Sequence, residues 1–147
     1  MQYRVQEGSL TLDGNWHDRS VNMFLPAGTP VEGVSVVLAR DRLPAGQGPA
    51  GYATRQRQTF EKELKGFSLL RNTPGIIDGR QAHFLEFNWV ADNSTLYQAY
   101  VSIFDNDTVL NFTASIPGTA DNIDLRKALM KTICSFKFAA SPEGRTA

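Results

Sequence analysis

A chain of 147 residues, 41% apolar and 20% charged, has the size and composition of one globular domain with a single core. Lys plus Arg and Asp plus Glu stand at 15 each, so no net field draws the chain to nucleic acid or to an anionic membrane. The lone Cys134 rules out an internal disulfide, no apolar run nears the ~20 residues that span a bilayer, and residues 1–25 lack the pattern of a signal peptide, which together predict a cytoplasmic protein.

The first 40 residues read as strands. One runs from Tyr3 to Leu12, turns at Asp13-Gly14, and is followed by a second from Trp16 to Leu25. A loop with Pro26, Gly28 and Pro30 leads into Gly33–Arg40, where Val34, Val36 and Leu38 alternate with Ser35, Val37 and Ala39. Residues 43–51 are dense in Gly and Pro and predict a loop, and a helix follows from Gly51 to Lys65 with Gly66 at its C-terminal cap. Residues 67–116 predict an antiparallel meander, with turns at Asp78-Gly79, Asp92-Asn93 and Asp105-Asn106-Asp107. Asp121 and Asp124 open a second helix with Leu125, Ala128, Leu129, Thr132, Ile133 and Phe136 on one face. The predicted class is α+β, an antiparallel sheet with two packed helices, as one domain over 1–138 and a flexible tail over 139–147.

The sheet is expected to have two unlike faces. Tyr97, Ala99, Val101 and Ile103 form a wholly apolar row, whereas Leu96, Gln98, Tyr100, Ser102 and Phe104 interleave apolar and hydrogen-bonding groups. Val21, Met23 and Leu25 oppose Asn22 and Phe24 in the same way. A half-apolar face needs a cover: one of the helices, a partner subunit or a ligand. The helix stripe Tyr52, Gln56, Phe60 and Leu64 is interrupted by an amide. Gln56 and Gln98 either satisfy one another or the local backbone, or remain available to a polar group on a helical ligand.

Signals for catalysis are weak. His17 and Asp18 are adjacent on an expected strand and so point to opposite faces, and His83 lies on another strand with no nucleophile elbow. Cys134 beside Ile133 reads as a small buried hydrophobe. Asp105-Asn106-Asp107 lacks the glycine and glutamate of a calcium loop, and no metal-ligand spacing is present. Arg55, Arg57, Lys62 and Lys65 mixed with Glu61 and Glu63 make a solvated helix face. The expectation is no enzyme, no catalytic residue, no metal and no cofactor.

Tyr3-Arg4, Leu10-Thr11-Leu12, the run from Trp16 to Phe24, Val37-Leu38-Ala39-Arg40-Asp41, Arg55-Gln56, Leu64-Lys65-Gly66-Phe67 and Leu96-Tyr97-Gln98 together resemble the Eag chaperones of bacterial type VI secretion. The likeness covers nearly the whole chain at matching spacing. It implies a PsbP-like α+β fold working as a homodimer. The implied partner is an effector with N-terminal transmembrane helices and a spike-tip (PAAR) domain, whose helices the chaperone shields in the cytoplasm before loading. By that likeness the helix-binding groove falls on Val21, Met23, Val37, Gln56, Phe60, Leu64, Leu96 and Tyr100, and Gln98 joins them through its strand face. Phe60 replaces an expected small residue and Tyr100 an expected amide. Two other classes stay open: an α+β pocket for a small apolar molecule, with Tyr100, Gln98 and Gln56 as polar handles, and an interaction module for a folded surface.

Overall fold

The middle of the chain folds on its turns. Asp78 and Gly79 have φ of 48° and 75°, Asp92 and Asn93 have 48° and 64°, and Asn106 has 55°. Paired left-handed residues match the right-handed twist of the strands they join, which is why two-residue Asp-Gly and Asp-Asn turns close tight hairpins. They link β5 (Ser68–Ile77), β6 (Arg80–Ala91), β7 (Ser94–Asp105) and β8 (Thr108–Pro117) into the expected meander. The computed structural model describes residues 1–27 and 32–139. Within them, β3 (Asn22–Phe24) and β4 (Ser35–Arg42) extend the meander to an antiparallel sheet in the order β3-β4-β8-β7-β6-β5.

Helix α1 (Pro49–Glu63) packs on one face of this sheet and α2 (Ile123–Cys134) on the other. The α2 face holds the main core: Tyr97, Ala99, Val101 and Ile103 of β7, Leu110, Phe112, Ala114 and Ile116 of β8, and Val34, Val36 and Leu38 of β4, sealed by Ile133. The wholly apolar row of β7 is at most 2% exposed, as the alternation requires. Opposite it, Leu85, Phe87, Tyr100, Phe104 and Val109 are buried under α1, together with its own Tyr52.

Several local expectations need correction. The segment Tyr3 to Leu12 is a hairpin rather than one strand: β1 (Gln2–Val5) turns at Gln6-Glu7 into β2 (Gly8–Thr11), a separate two-stranded sheet. Of Trp16 to Leu25, only Asn22–Phe24 is strand. The rest is diverted by local side chains: Asp18 Oδ1 accepts the Ser20 N–H at 2.9 Å, and Arg40 donates to the Ser20 carbonyl at 3.2 Å. His17 and Asp18 therefore lie on irregular backbone, and not on a strand. Helix α1 begins at Pro49, whose missing N–H and fixed φ suit a first helical position. It ends at Glu63 with Leu64 as its C-terminal cap, not at Lys65 with Gly66, which has φ of 67° in the turn that follows.

At α2 the N-terminal cap is Asn122, whose side chain accepts the Leu125 N–H at 2.8 Å, while Asp121 pairs with Arg126. Leu125, Leu129, Ile133 and Phe136 pack on the core as expected, together with Met130; Ala128 and Thr132 are exposed. Cys134 is also exposed, because the next residue after the buried Ile133 turns about 100° around the helix, away from the sheet. Gly28, Pro30 and residues 140–147 of the expected tail lie outside the described residues.

Candidate functional site

The α1 face of the sheet is only half covered. Register sets out its floor in rows across the strands. Met23, Val37, Thr113, Tyr100 and Leu85 form one row, and Ser35, Ser115, Gln98 and Phe87 the next. Pro117, Leu96 and Trp89 continue on one side, and Ala39, Asn111 and Ser102 on the other. Helix α1 lies over the β6–β7 end of these rows, where Leu85 and Phe87 are each 1% exposed. Toward β3 the same rows open: Ser35, Val37, Ala39, Thr113 and Ser115 are half-buried, and Met23 is 64% exposed. Three strand spacings from Met23 to Tyr100 amount to about 14 Å, enough to seat a helix about 10 Å across.

The wall along α1 is built from a helical ladder. Tyr52, Gln56, Phe60 and Leu64 recur every four residues and so share a face. Phe60 packs edge-on against Tyr100 with ring centres 5.0 Å apart, and tilted against Phe87 at 5.2 Å. The two residues that depart from the family pattern are thus in contact with each other. Gln56 Nε2 donates to the Tyr100 hydroxyl at 2.7 Å and lies 3.4 Å from that of Tyr52. Tyr52 donates to Asp41 Oδ2 at 2.8 Å and accepts from Asn111 Nδ2 at 2.8 Å, and Asn111 Oδ1 in turn accepts from Ser102 at 2.7 Å. Burial raises the ionisation of both Tyr52 and Tyr100 above the ordinary tyrosine value, so both are neutral hydroxyls.

Gln56 and Gln98 do not bond one another. Gln98 is held by Trp89 Nε1, which donates to its carbonyl at 2.7 Å, and donates to Ser115 Oγ at 2.9 Å. Among the described residues nothing donates to the carbonyl oxygen of Gln56, which leaves an acceptor at the boundary between the covered and open halves. The lining is therefore apolar walls over a floor of small and hydroxyl-bearing side chains, with its amides already oriented.

All nine residues singled out from the sequence meet at this one face. Met23, Val37, Leu96, Gln98 and Tyr100 stand on its strands, and Gln56, Phe60 and Leu64 on α1 above it. Val21, 60% exposed, lies one residue before β3 in alternation with Met23. Missed were Thr113 and Ser115 of the floor, and Phe87 and Trp89 beneath and beside the wall. The alternation Phe112, Thr113, Ala114, Ser115, Ile116 contained the first two. Cavities of about 500, 460, 380 and 330 Å³ among the described residues are lined by none of the nine. The site is an open face and not an enclosed pocket. Among the described residues no group of three or more His, Cys, Asp or Glu is arranged to hold a metal ion, and no helix is long and apolar enough to cross a membrane.

The DcrB family profile matches residues 7–133. The protein called Effector EagT6 of Pseudomonas aeruginosa is 34% identical over 109 residues, which are 74% of this chain and 76% of that protein. A Pseudomonas aeruginosa protein of unknown function superposes with a TM-score of 0.77 at 28% identity, covering 95% of this chain and 97% of its own. The cyanobacterial PsbP of Synechocystis shares the fold at a TM-score of 0.54 and 15% identity, over 86% and 96% of the two chains.

Proposed function

Because the chain belongs to the DcrB family and is an Eag-family protein with a PsbP-like fold, we propose that it is a cytoplasmic type VI secretion chaperone. Its client is an effector carrying N-terminal transmembrane helices and a PAAR domain. It holds those helices on the open half of the α1 face, acts as a homodimer, and has no catalytic step and no cofactor. The observation that carries this reading is the half-open face itself, flanked by a ladder of aromatic and amide side chains.

The physics of such a job is simple. A transmembrane helix in water exposes apolar surface, and each ~100 Å² that the chaperone covers is worth about 2.5 kcal/mol before the costs of association. The helix keeps its own backbone bonds, so the chaperone need supply only side-chain cover. Met23 lends the wall adaptability toward a client defined by hydrophobicity. Hydroxyls of Ser35, Thr113 and Ser115 offer partners to a client's polar side chains and keep the binding reversible. The edge strand β3, with Val21, Met23, Phe24 and Leu25 all more than half exposed, supports association with a second copy.

The test is co-expression with a type VI effector that carries N-terminal apolar helices, followed by affinity purification, with and without those helices. The expected result is co-purification that disappears on deletion of the helices. Co-purification that survives the deletion replaces the reading with a folded-surface partner. No association in either case returns the face to a small apolar ligand.

A further inference from the structure

A cavity of about 500 Å³ lies beyond one end of the open face. His17, Asp18 and Arg19 line it on one side, and Arg40, Asp41, Arg42 and Thr108 on the other. It is continuous with the site through the chain. Asp41 stands on β4 two and four residues beyond Ala39 and Val37, on their face, and its carboxylate holds Tyr52 of the α1 ladder. Ser20, whose carbonyl holds Arg40, directly precedes Val21.

The charges around it are unequally committed. Both oxygens of Asp41 are engaged, Oδ1 by the Arg42 N–H at 2.8 Å and Oδ2 by the Tyr52 hydroxyl. Asp18 Oδ1 takes the Ser20 N–H and hydroxyl, and Arg40 lies near enough to help hold that carboxyl below the usual carboxylate range. Arg42 is paired with Asp107 at 2.7 Å. The cations are freer. Arg40 bonds only neutral oxygens, the Ser20 carbonyl and Asn22 Oδ1, both through Nη1. Arg19 has no hydrogen-bond or ion-pair partner among the described residues. What the cavity offers an incoming group is thus mainly guanidinium N–H, the donor that oxyanions prefer.

We infer that this cavity receives a carboxylate from the polypeptide flanking the client's apolar helix, an Asp or Glu just outside the transmembrane segment. The inference rests on the proposed function. A helix of ~20 residues is about 30 Å long, while the eight residues of β4 extend about 26 Å. A helix aligned with β4 therefore overruns the floor, and its flank arrives at the cavity. The apolar face then sets affinity for any such helix, and Arg19 and Arg40 select which flank is accepted and in which direction the helix lies.

The test uses the full chain and designed probes: a soluble carrier protein fused to an apolar segment of about 20 residues, flanked at one end or the other by two Glu, two Lys or two Ser. Affinity is read by fluorescence anisotropy at low and high salt. At least one Glu-flanked probe is expected to bind about tenfold more tightly than its Ser-flanked counterpart, with the advantage falling at high salt. Arg19→Gln should remove most of that advantage while leaving the Ser-flanked probe unchanged; Arg55→Gln, at an exposed position of α1, should change neither. Arg40→Gln is less diagnostic because Arg40 also anchors Ser20 and Asn22. Equal binding of all flanks, or preference for Lys, overturns the inference and leaves the chaperone reading intact. Failure of every probe to bind overturns both.

Discussion

Two halves of one sheet face differ in what they are made of and in what covers them. Under α1, Leu85, Phe87 and Tyr100 are large, buried and locked by Phe60, Leu64 and Phe67. On the next two strands, β8 and β4, Ser35, Val37, Ala39, Thr113 and Ser115 are small, three of the five polar, and half-exposed. The covered half is a core and its side chains contribute stability; the open half contributes little, so its composition is free to serve a partner. Substitutions separate the two, because a core residue costs the protein its fold and a docking residue costs only its partner.

The largest effect belongs to the covered half. Phe87→Ala removes a ring stacked between Phe60 and Phe67, at 5.2 and 5.1 Å, and should cost about 3–5 kcal/mol in a urea titration. Val37→Ala, in the open half, should cost less than about 1.5 kcal/mol in the same measurement. Next is the network that ties the halves together. Asn111→Ala leaves the buried Ser102 hydroxyl without its acceptor and Tyr52 without one of its donors, and should cost about 1–3 kcal/mol. Because that network holds Tyr52 at the head of the α1 ladder, the same variant should speed hydrogen exchange in α1 more than in α2.

At Met23 the expected cost to stability is smaller still. Met23→Asp places a charge on an exposed side chain of the edge strand, and its unfolding free energy should stay within about 0.5 kcal/mol of the parent. Co-purification of an effector bearing apolar helices should nonetheless fall at least tenfold, since a buried methionine is worth about 1.5–3 kcal/mol and the carboxylate adds a desolvation cost. If stability falls as far as in Phe87→Ala, the open half is core and the contrast between the halves is lost.

The smallest effect is a pH dependence at the covered edge. Burial lowers the His83 ionisation below its ordinary 6.5, and its Nε2 lies 2.6 Å from Asn72 Oδ1. The unfolded chain therefore takes up this proton before the folded one. The neutral ring's contribution is full above about pH 6.5, declines as pH falls through 6.5 toward the folded value, and is constant below that. Comparing urea midpoints of the parent and His83→Gln at about pH 7.5 and about pH 5.5 should show the variant losing less on acidification.

Local chemistry explains which parts could be read from the sequence. Asp78-Gly79 and Asp92-Asn93 announce their hairpins because left-handed backbone selects those residues. Gln6-Glu7 carries no such signal, so the β1–β2 hairpin passed for one strand. The strand expected from Trp16 shrank to three residues because Asp18, Ser20 and Arg40 compete for its backbone groups, one of them from twenty positions away. The candidate site was legible to the extent that alternation reveals faces within a strand: Gln98 falls with Leu96 and Tyr100 by parity, whereas Met23 and Val37 were reached only through the family likeness. Which half of that side α1 would cover was not legible. That depends on Tyr52 meeting Asn111 and Phe60 meeting Phe87, contacts between distant segments. The grouping of Ser35, Ser115 and Gln98 likewise exists only through strand register.

Met23 and Ile76 offer the most direct test, since they are similarly exposed, at 64% and 74%, and register places them on the same sheet face on opposite sides of α1. A photo-reactive amino acid would be introduced at each in turn, in cells that also express an effector with N-terminal apolar helices, and the cross-linked peptides mapped by mass spectrometry. The expected result is cross-linking from position 23 to the effector's apolar segment and none from position 76. Cross-linking from position 76 alone, or equally from both, would contradict the assignment of the client to the open half.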